Sequence, residues 1–107
     1  MKFSILFIQE AEDDLFDIYR YTLNNDSASH AEYVLLKLQE TCVSLDERPE
    51  RGHIPPELER IGIIEFKEIH FKPYRIIYEI EKRTVFIHCV LDGRRDIQDL
   101  LERRLLR

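Results

Sequence analysis

The sequence predicts a single α+β domain with element order strand, helix, helix, strand, strand, strand, helix. It expects a mostly antiparallel four-stranded sheet with a helical hairpin on one face. Three observations carry this. Residues 2–8 alternate with the two-residue period of a strand, and two stretches between residues 10 and 45 repeat apolar residues at helical spacing. Three further alternating runs between residues 64 and 91 are separated by breaks short enough for hairpins. Helices segregated from a strand meander fit two layers around one core, and 107 residues suffice for one domain spanning 1–107 but not for two.

The first strand places Phe3, Ile5 and Phe7 on one side and Ser4, Leu6 and Ile8 on the other, which reads as a buried strand. From about Glu10 the period lengthens. Ala11, Leu15, Ile18, Tyr19 and Thr22 form an apolar stripe, while Glu12, Asp13, Asp14 and Asp17 share the opposite, solvated face. Asn24-Asn25-Asp26-Ser27 ends this helix. Ser29 with Glu32 has the form of a capping box for a second helix, whose stripe is Ala31, Val34, Leu35, Leu38, Cys42 and Leu45. So short a break folds the two helices antiparallel on the sheet.

Residues 48–62 hold Pro49, Gly52, Pro55, Pro56 and Gly62 and read as a loop with a turn of helix at residues 56–60. Strands follow at residues 64–70, 74–81 and 85–91, separated by Phe71-Lys72-Pro73 and by Lys82-Arg83. After Asp92-Gly93 the helical period resumes with Ile97, Leu100, Leu101 and Leu105, and Asp96 is placed to cap the last helix.

Composition narrows the function classes. With 44% apolar and 35% charged residues and three glycines, the chain is an ordered globular domain. No apolar stretch reaches the roughly 18–20 residues of a membrane span, and the start lacks a signal peptide's apolar block, so a soluble cytoplasmic protein is expected. Cys42 and Cys89 sit in apolar runs and read as buried thiols of a reducing compartment. The net charge of −5 is uneven. Residues 1–50 carry four Lys/Arg against eleven Asp/Glu, and residues 51–107 carry twelve against ten, so any cationic surface must come from the second half.

The most unusual local feature is Val90-Leu91-Asp92-Gly93-Arg94-Arg95-Asp96, a strand ending in a turn with two adjacent arginines. Such neighbours repel one another unless an anion or a carboxylate, here Asp92, Asp96 or Asp99, compensates. Arg75 opens the preceding strand, so hairpin pairing brings it beside the turn. Arg75, Arg94 and Arg95 are therefore expected to converge into an anion-binding edge, extended by Lys67. No serine lies in a nucleophile setting. The histidines at positions 30, 53, 70 and 88 are spaced unlike a metal site, so neither metal nor other cofactor is expected. His70 and His88 are candidate general acids.

Several of these segments together resemble the RelE/ParE toxin superfamily. They are Glu10-Ala11-Glu12-Asp13-Asp14-Leu15 with Ile18, Tyr21 and Thr22; Phe66-Lys67-Glu68-Ile69; Tyr74-Arg75-Ile76-Ile77-Tyr78; and the Val90–Ile97 segment. The resemblance covers nearly the whole chain and implies the toxin of a type II toxin–antitoxin system, a plasmid-stabilisation class of protein. RelE-like members cut messenger RNA on the ribosome, and on that reading Lys67, Arg75 and Arg95 are the catalytic candidates. This sequence has Leu101 where such ribonucleases carry a tyrosine, and Asp92 where relatives carry a histidine. ParE-like members inhibit DNA gyrase, and the acid-rich first helix and leucine-rich last helix favour that branch. On that reading Arg75, Arg94 and Arg95 contact the target. An antitoxin is expected over the region of Leu15, Ile18, Tyr19 and Leu38, with operator DNA reached only through that antitoxin. A homodimer and a non-toxic antitoxin- and DNA-binding module remain open alternatives.

Overall fold

A computed structural model describes residues 2–106; Met1 and Arg107 lie outside the described residues. Strand β1 (Ser4–Phe7) leads into helices α1 (Gln9–Asn25) and α2 (Ala28–Val43). Two 3-10 turns and the short helix α3 (Pro56–Glu59) connect to β2 (Phe66–Phe71), β3 (Tyr74–Glu81) and β4 (Thr84–Asp92), and α4 (Gln98–Leu105) closes the chain. The element order and the α+β class match the sequence expectation, with strand boundaries moved by one or two residues.

The sheet order is β1-β4-β3-β2. Hairpins β2–β3 and β3–β4 are antiparallel, and β1 joins β4 in parallel, from Ser4 opposite Thr84 to Phe7 opposite Ile87. Parallel pairing needs a crossover, and the α1–α2 hairpin is the first part of it. As an edge strand, β1 is not the buried strand expected. Its Leu6 is 47% exposed, whereas Phe3, Ile5 and Phe7 pack inward.

The central strands are apolar on both faces because both faces are covered. Ile76, Tyr78, Val85, Ile87 and Val90 meet Ala11, Leu15, Val34, Leu38 and Cys42 of the helical hairpin. On the opposite face Ile77 and Cys89 meet Phe66, Leu58 of α3, Leu101 of α4 and Ile97 just before it. The two layers of the sequence reading thus become three. A β-bulge sits where Ile77 pairs with Cys89 and Tyr78 with Ile87, so His88 is the extra residue.

Strand β4 outruns β1, which leaves the β4 edge unpaired beyond Ile87, and buried backbone groups must find partners. Side chains supply them. Asp14 accepts a hydrogen bond from Val90 N (2.9 Å), and Arg104 donates to His88 O (2.8 Å) and to both Asp14 oxygens (3.1 and 2.9 Å). Asp14 therefore does not belong to the solvated face assigned to it from periodicity. Burial pushes its carboxyl above the usual range, opposed by the Arg104 bonds and the Val90 amide.

Caps also shift. Ser27, not Ser29, caps α2 by accepting from His30 N at 3.1 Å. The α4 N-cap position is Ile97, although Asp96 Oδ1 still accepts from Gln98 N at 3.2 Å. Gly52 is fixed by close approach, since a Cβ there would overlap Tyr78 Oη and lie 2.8 Å from Glu68 O. That packing lets Tyr78 Oη donate to Pro49 O and ties the 48–55 loop to the sheet. Cys42 and Cys89 are buried free thiols, each pushed up to about 12 by desolvation.

Candidate functional site

The register of the β2–β3–β4 meander decides which side chains meet. Arg75 lies opposite His70 on one side and Leu91 on the other, and Tyr74 lies opposite Asp92. Its backbone is therefore beside the Asp92–Arg95 turn, as expected. Its side chain goes elsewhere. A Cβ on Gly93 would come within 2.9 Å of Arg75 Cγ and Cδ, so the arginine stem runs beneath this glycine toward the α3–α4 face.

There its guanidinium meets two carboxylates. Nε and Nη2 donate to Glu68 at 2.6 and 3.1 Å, and Nη1 and Nη2 donate to Glu57 at 2.8 and 2.7 Å. The side chains of Arg75, Glu57 and Glu68 are 13%, 16% and 2% exposed. The Arg75 bonds hold the Glu57 carboxyl below the usual range, and those from Glu57 and then Glu68 keep the guanidinium protonated more firmly than normal. Glu68 also has His53 Nε2 at 3.1 Å and His70 Nε2 at 3.4 Å.

Arg94 is on the other side of the sheet. It lines a cleft with Tyr21, Tyr33, Phe71 and Tyr74, and its guanidinium is held by Asp92 at 3.0 and 2.7 Å. That pairing lowers the Asp92 carboxyl. Arg95 is exposed, with no side-chain ion pair among the described residues. Lys67 pairs with Tyr78 in register, so alternation directs it toward the hairpin face and away from Arg75. The expected convergence of Arg75, Arg94 and Arg95, extended by Lys67, does not form. Two arginines carry their own carboxylates and face opposite sides of the sheet.

The remaining candidates divide similarly. His88 has Glu79 Oε1 at 3.2 Å and packs edge-on against Phe66. Leu38 is wholly buried and Leu15 is 7% exposed, so both serve the core first, while Ile18 is partly buried against it. Leu15 and Tyr19 nevertheless line a groove with Leu6, Phe7, Phe16 and Leu35 along the β1 edge. This groove is the largely apolar surface of the hairpin, and Phe16, 58% exposed, is stacked by Arg20 at 4.8 Å.

These elements occur together in known proteins. A family model described as the ParE toxin of the type II toxin–antitoxin system parDE matches residues 5–97. The chain belongs to the ParE toxin family. Its match takes in β1, the helical hairpin and the whole strand meander up to Ile97. Solved relatives of this ParE-family chain share the fold at low identity. A structure of the chromosomal ParDE system from P. aeruginosa superposes with a TM-score of 0.70 at 14% identity, covering 83% of this chain and 94% of that one. The toxin–antitoxin complex RelBE2 from Mycobacterium tuberculosis superposes with a TM-score of 0.65 at 20% identity, covering 86% and 92%. Comparison with curated proteins finds no sequence match. No helix among the described residues is long and apolar enough to cross a membrane.

Sequence reasoning passed over Glu57 and Arg104, set His53 aside with the other histidines, and gave Glu68 no place in the site. Glu68 was within reach of it, because Phe66, Glu68 and His70 share one side of β2 and the register puts that side with Arg75. His53 gives no local signal, since only the folding of the 48–55 loop onto β2 brings it in.

Proposed function

We propose that this ParE-family toxin acts by binding DNA gyrase and stopping its DNA cleavage cycle without hydrolysing a substrate itself. One observation supports this over ribosome-dependent cleavage of messenger RNA. Arg75, the strand arginine that would stabilise charge on a transition-state phosphate, already holds two carboxylates. A guanidinium so occupied has little left for a phosphoryl oxygen. The target surface in this reading comprises the Arg94–Arg95 turn and the exposed face of α4 with Arg103, and Arg75 serves to hold β2, β3 and α3 together.

The neutralising antitoxin, in the same reading, lays an apolar segment into the groove of Leu6, Phe16, Tyr19 and Leu35 beside the open β1 edge. An unpaired strand edge flanked by an apolar groove accepts backbone hydrogen bonds and side-chain anchors together.

The test compares two assays of the purified chain. Gyrase supercoiling should be inhibited and cleaved DNA should accumulate, while ribosome-bound messenger RNA stays intact. Arg95→Ala should weaken inhibition without changing the unfolding midpoint. Cleavage of ribosome-bound message with gyrase unaffected would overturn the proposal.

A further inference from the structure

The Glu68 environment is electrostatically unfinished. Two carboxylates, Glu57 and Glu68, share one guanidinium, so the cluster keeps a residual negative charge at a side chain only 2% exposed. A buried anion of this kind requires a further cation or proton nearby. The groups placed to supply it are the imidazoles of His53 and His70, whose Nε2 atoms stand 3.1 and 3.4 Å from opposite oxygens of Glu68. One donor atom from each of the three residues lies within 4.8 Å of the others, and the two rings meet edge-on with centroids 5.3 Å apart.

We propose that His53, Glu68 and His70 form a binding site for a divalent transition metal of the zinc type, with water completing its coordination. Two imidazole nitrogens and one carboxylate oxygen form a ligand set that zinc accepts at about 2.0–2.2 Å, with tetrahedral ligands lying a little over 3 Å apart. One separation, His53 Nε2 to Glu68 Oε2 at 3.1 Å, already has that length, while His70 Nε2 stands 3.4 Å from the other carboxylate oxygen. Bringing all three ligand atoms to that spacing requires rotation of the His70 ring toward the oxygen that His53 faces, and with side chains 60% and 41% exposed neither imidazole is enclosed by the core.

Arg75 does not exclude the ion. Each carboxylate oxygen has two acceptor directions, so Glu68 can keep its arginine bonds and still offer a lone pair outward. In this arrangement Arg75 becomes the outer partner that orients the metal-binding carboxylate. The backbone supports the same geometry: His53 and Glu68 form an isolated antiparallel bridge with hydrogen bonds of 3.2 and 2.7 Å. A bound ion would clamp the 48–55 loop, which has little regular structure, onto strand β2. The consequence is a metal-dependent brace on the face opposite the helical hairpin. It stands independently of which target the toxin attacks.

The experiment uses the full chain without a histidine tag, stripped with EDTA and dialysed, and titrated with Zn²⁺ by calorimetry against a competing chelator. Co²⁺ serves as a second probe through its visible absorption. Binding should saturate at one ion per chain and raise the melting midpoint by a few degrees, reversibly with EDTA. His53→Ala and His70→Ala, both at exposed rings and expected to fold, should each weaken affinity by at least about tenfold, whereas His30→Ala should not. Absence of saturable binding, or binding unchanged in both variants, would overturn the assignment. So would a midpoint that changes with pH through the two histidines but is indifferent to zinc, which would make them hydrogen-bond donors to Glu68 only.

Discussion

Replacing Arg75 by alanine should unfold this toxin more readily than any other single loss of charge, for reasons that can be worked from the geometry. The substitution removes four N–H···O bonds of 2.6–3.1 Å at once and strands Glu57 and Glu68, the latter almost wholly enclosed. Breaking one partner out of a buried ion pair costs about 3–5 kcal/mol, most of it from the charge left behind. Small domains are stable by about 5–15 kcal/mol, so Arg75→Ala should lose a large share of that. Urea unfolding followed by circular dichroism reads it directly, with a lower midpoint at unchanged slope. The pH dependence gives a second reading. The folded Glu57 carboxyl lies below its ordinary value of 4.5, so its pairing with Arg75 stabilises the fold above that pH and is lost as pH falls through the depressed value. Arg75→Ala should therefore flatten this part of the acid limb. A variant within about 0.5 kcal/mol of the parent, with an identical acid limb, would refute the view that Arg75 is a bracing residue.

Other perturbations test other parts of the fold. Gly52→Ala should cost about 1–3 kcal/mol by overpacking against Tyr78 Oη and Glu68 O, read as a drop in the urea midpoint. Asp14→Ala should cost about 3 kcal/mol, since it removes the carboxylate hydrogen-bonded to Arg104, leaving it Glu10 at 3.8 Å, and leaves Val90 N without an acceptor; amide hydrogen exchange at Val90 should accelerate with it. Lys82, at φ 56° in the β3–β4 turn, should gain about 0.5–1 kcal/mol on replacement by glycine, seen as a higher melting midpoint.

Most of the fold was legible because its elements are locally consistent. Strand alternation over residues 74–81 and helical stripes in α1 and α2 need no tertiary information, and breakers mark the joins. The parallel partner of β1 was not legible, since nothing in residues 4–7 says which edge they join. Asp14 misled for the same reason: helical periodicity assigns a residue to a face but cannot show that β4 runs past β1 and needs an acceptor there. The site failed at a different step. Hairpin pairing correctly brought the Arg75 backbone beside the Asp92–Arg95 turn, yet backbone proximity does not set side-chain direction. Alternation sends Arg75 to the α3–α4 face with Glu68, and Arg94 turns to the hairpin face with Asp92.

Those carboxylates also give the chain's charge a structural meaning. The second half of the sequence has more cations than anions, but several of its arginines are committed internally. Arg51 donates to the Ser44 and Glu47 carbonyls, Arg60 to Gln98, Arg75 to Glu57 and Glu68, and Arg104 to Asp14. Arg104 in particular draws its partner from the acidic first half, so part of the asymmetry between halves cancels across the α1–β4–α4 contact. Exposed cations such as Arg95 and Arg103 remain, set in an acidic protein of net charge −5. Such a surface cannot hold a polyanion by bulk attraction, which needs many phosphates neutralised together. On the proposed reading it instead discriminates among protein surfaces, where a few guanidinium groups, with Tyr21 and Tyr74 beside Arg94, contribute more than net charge. On the proposed gyrase-binding reading, the internal arginine pairs act by subtraction: they brace the sheet and leave the Arg94–Arg95 turn as the cationic surface offered to a protein partner.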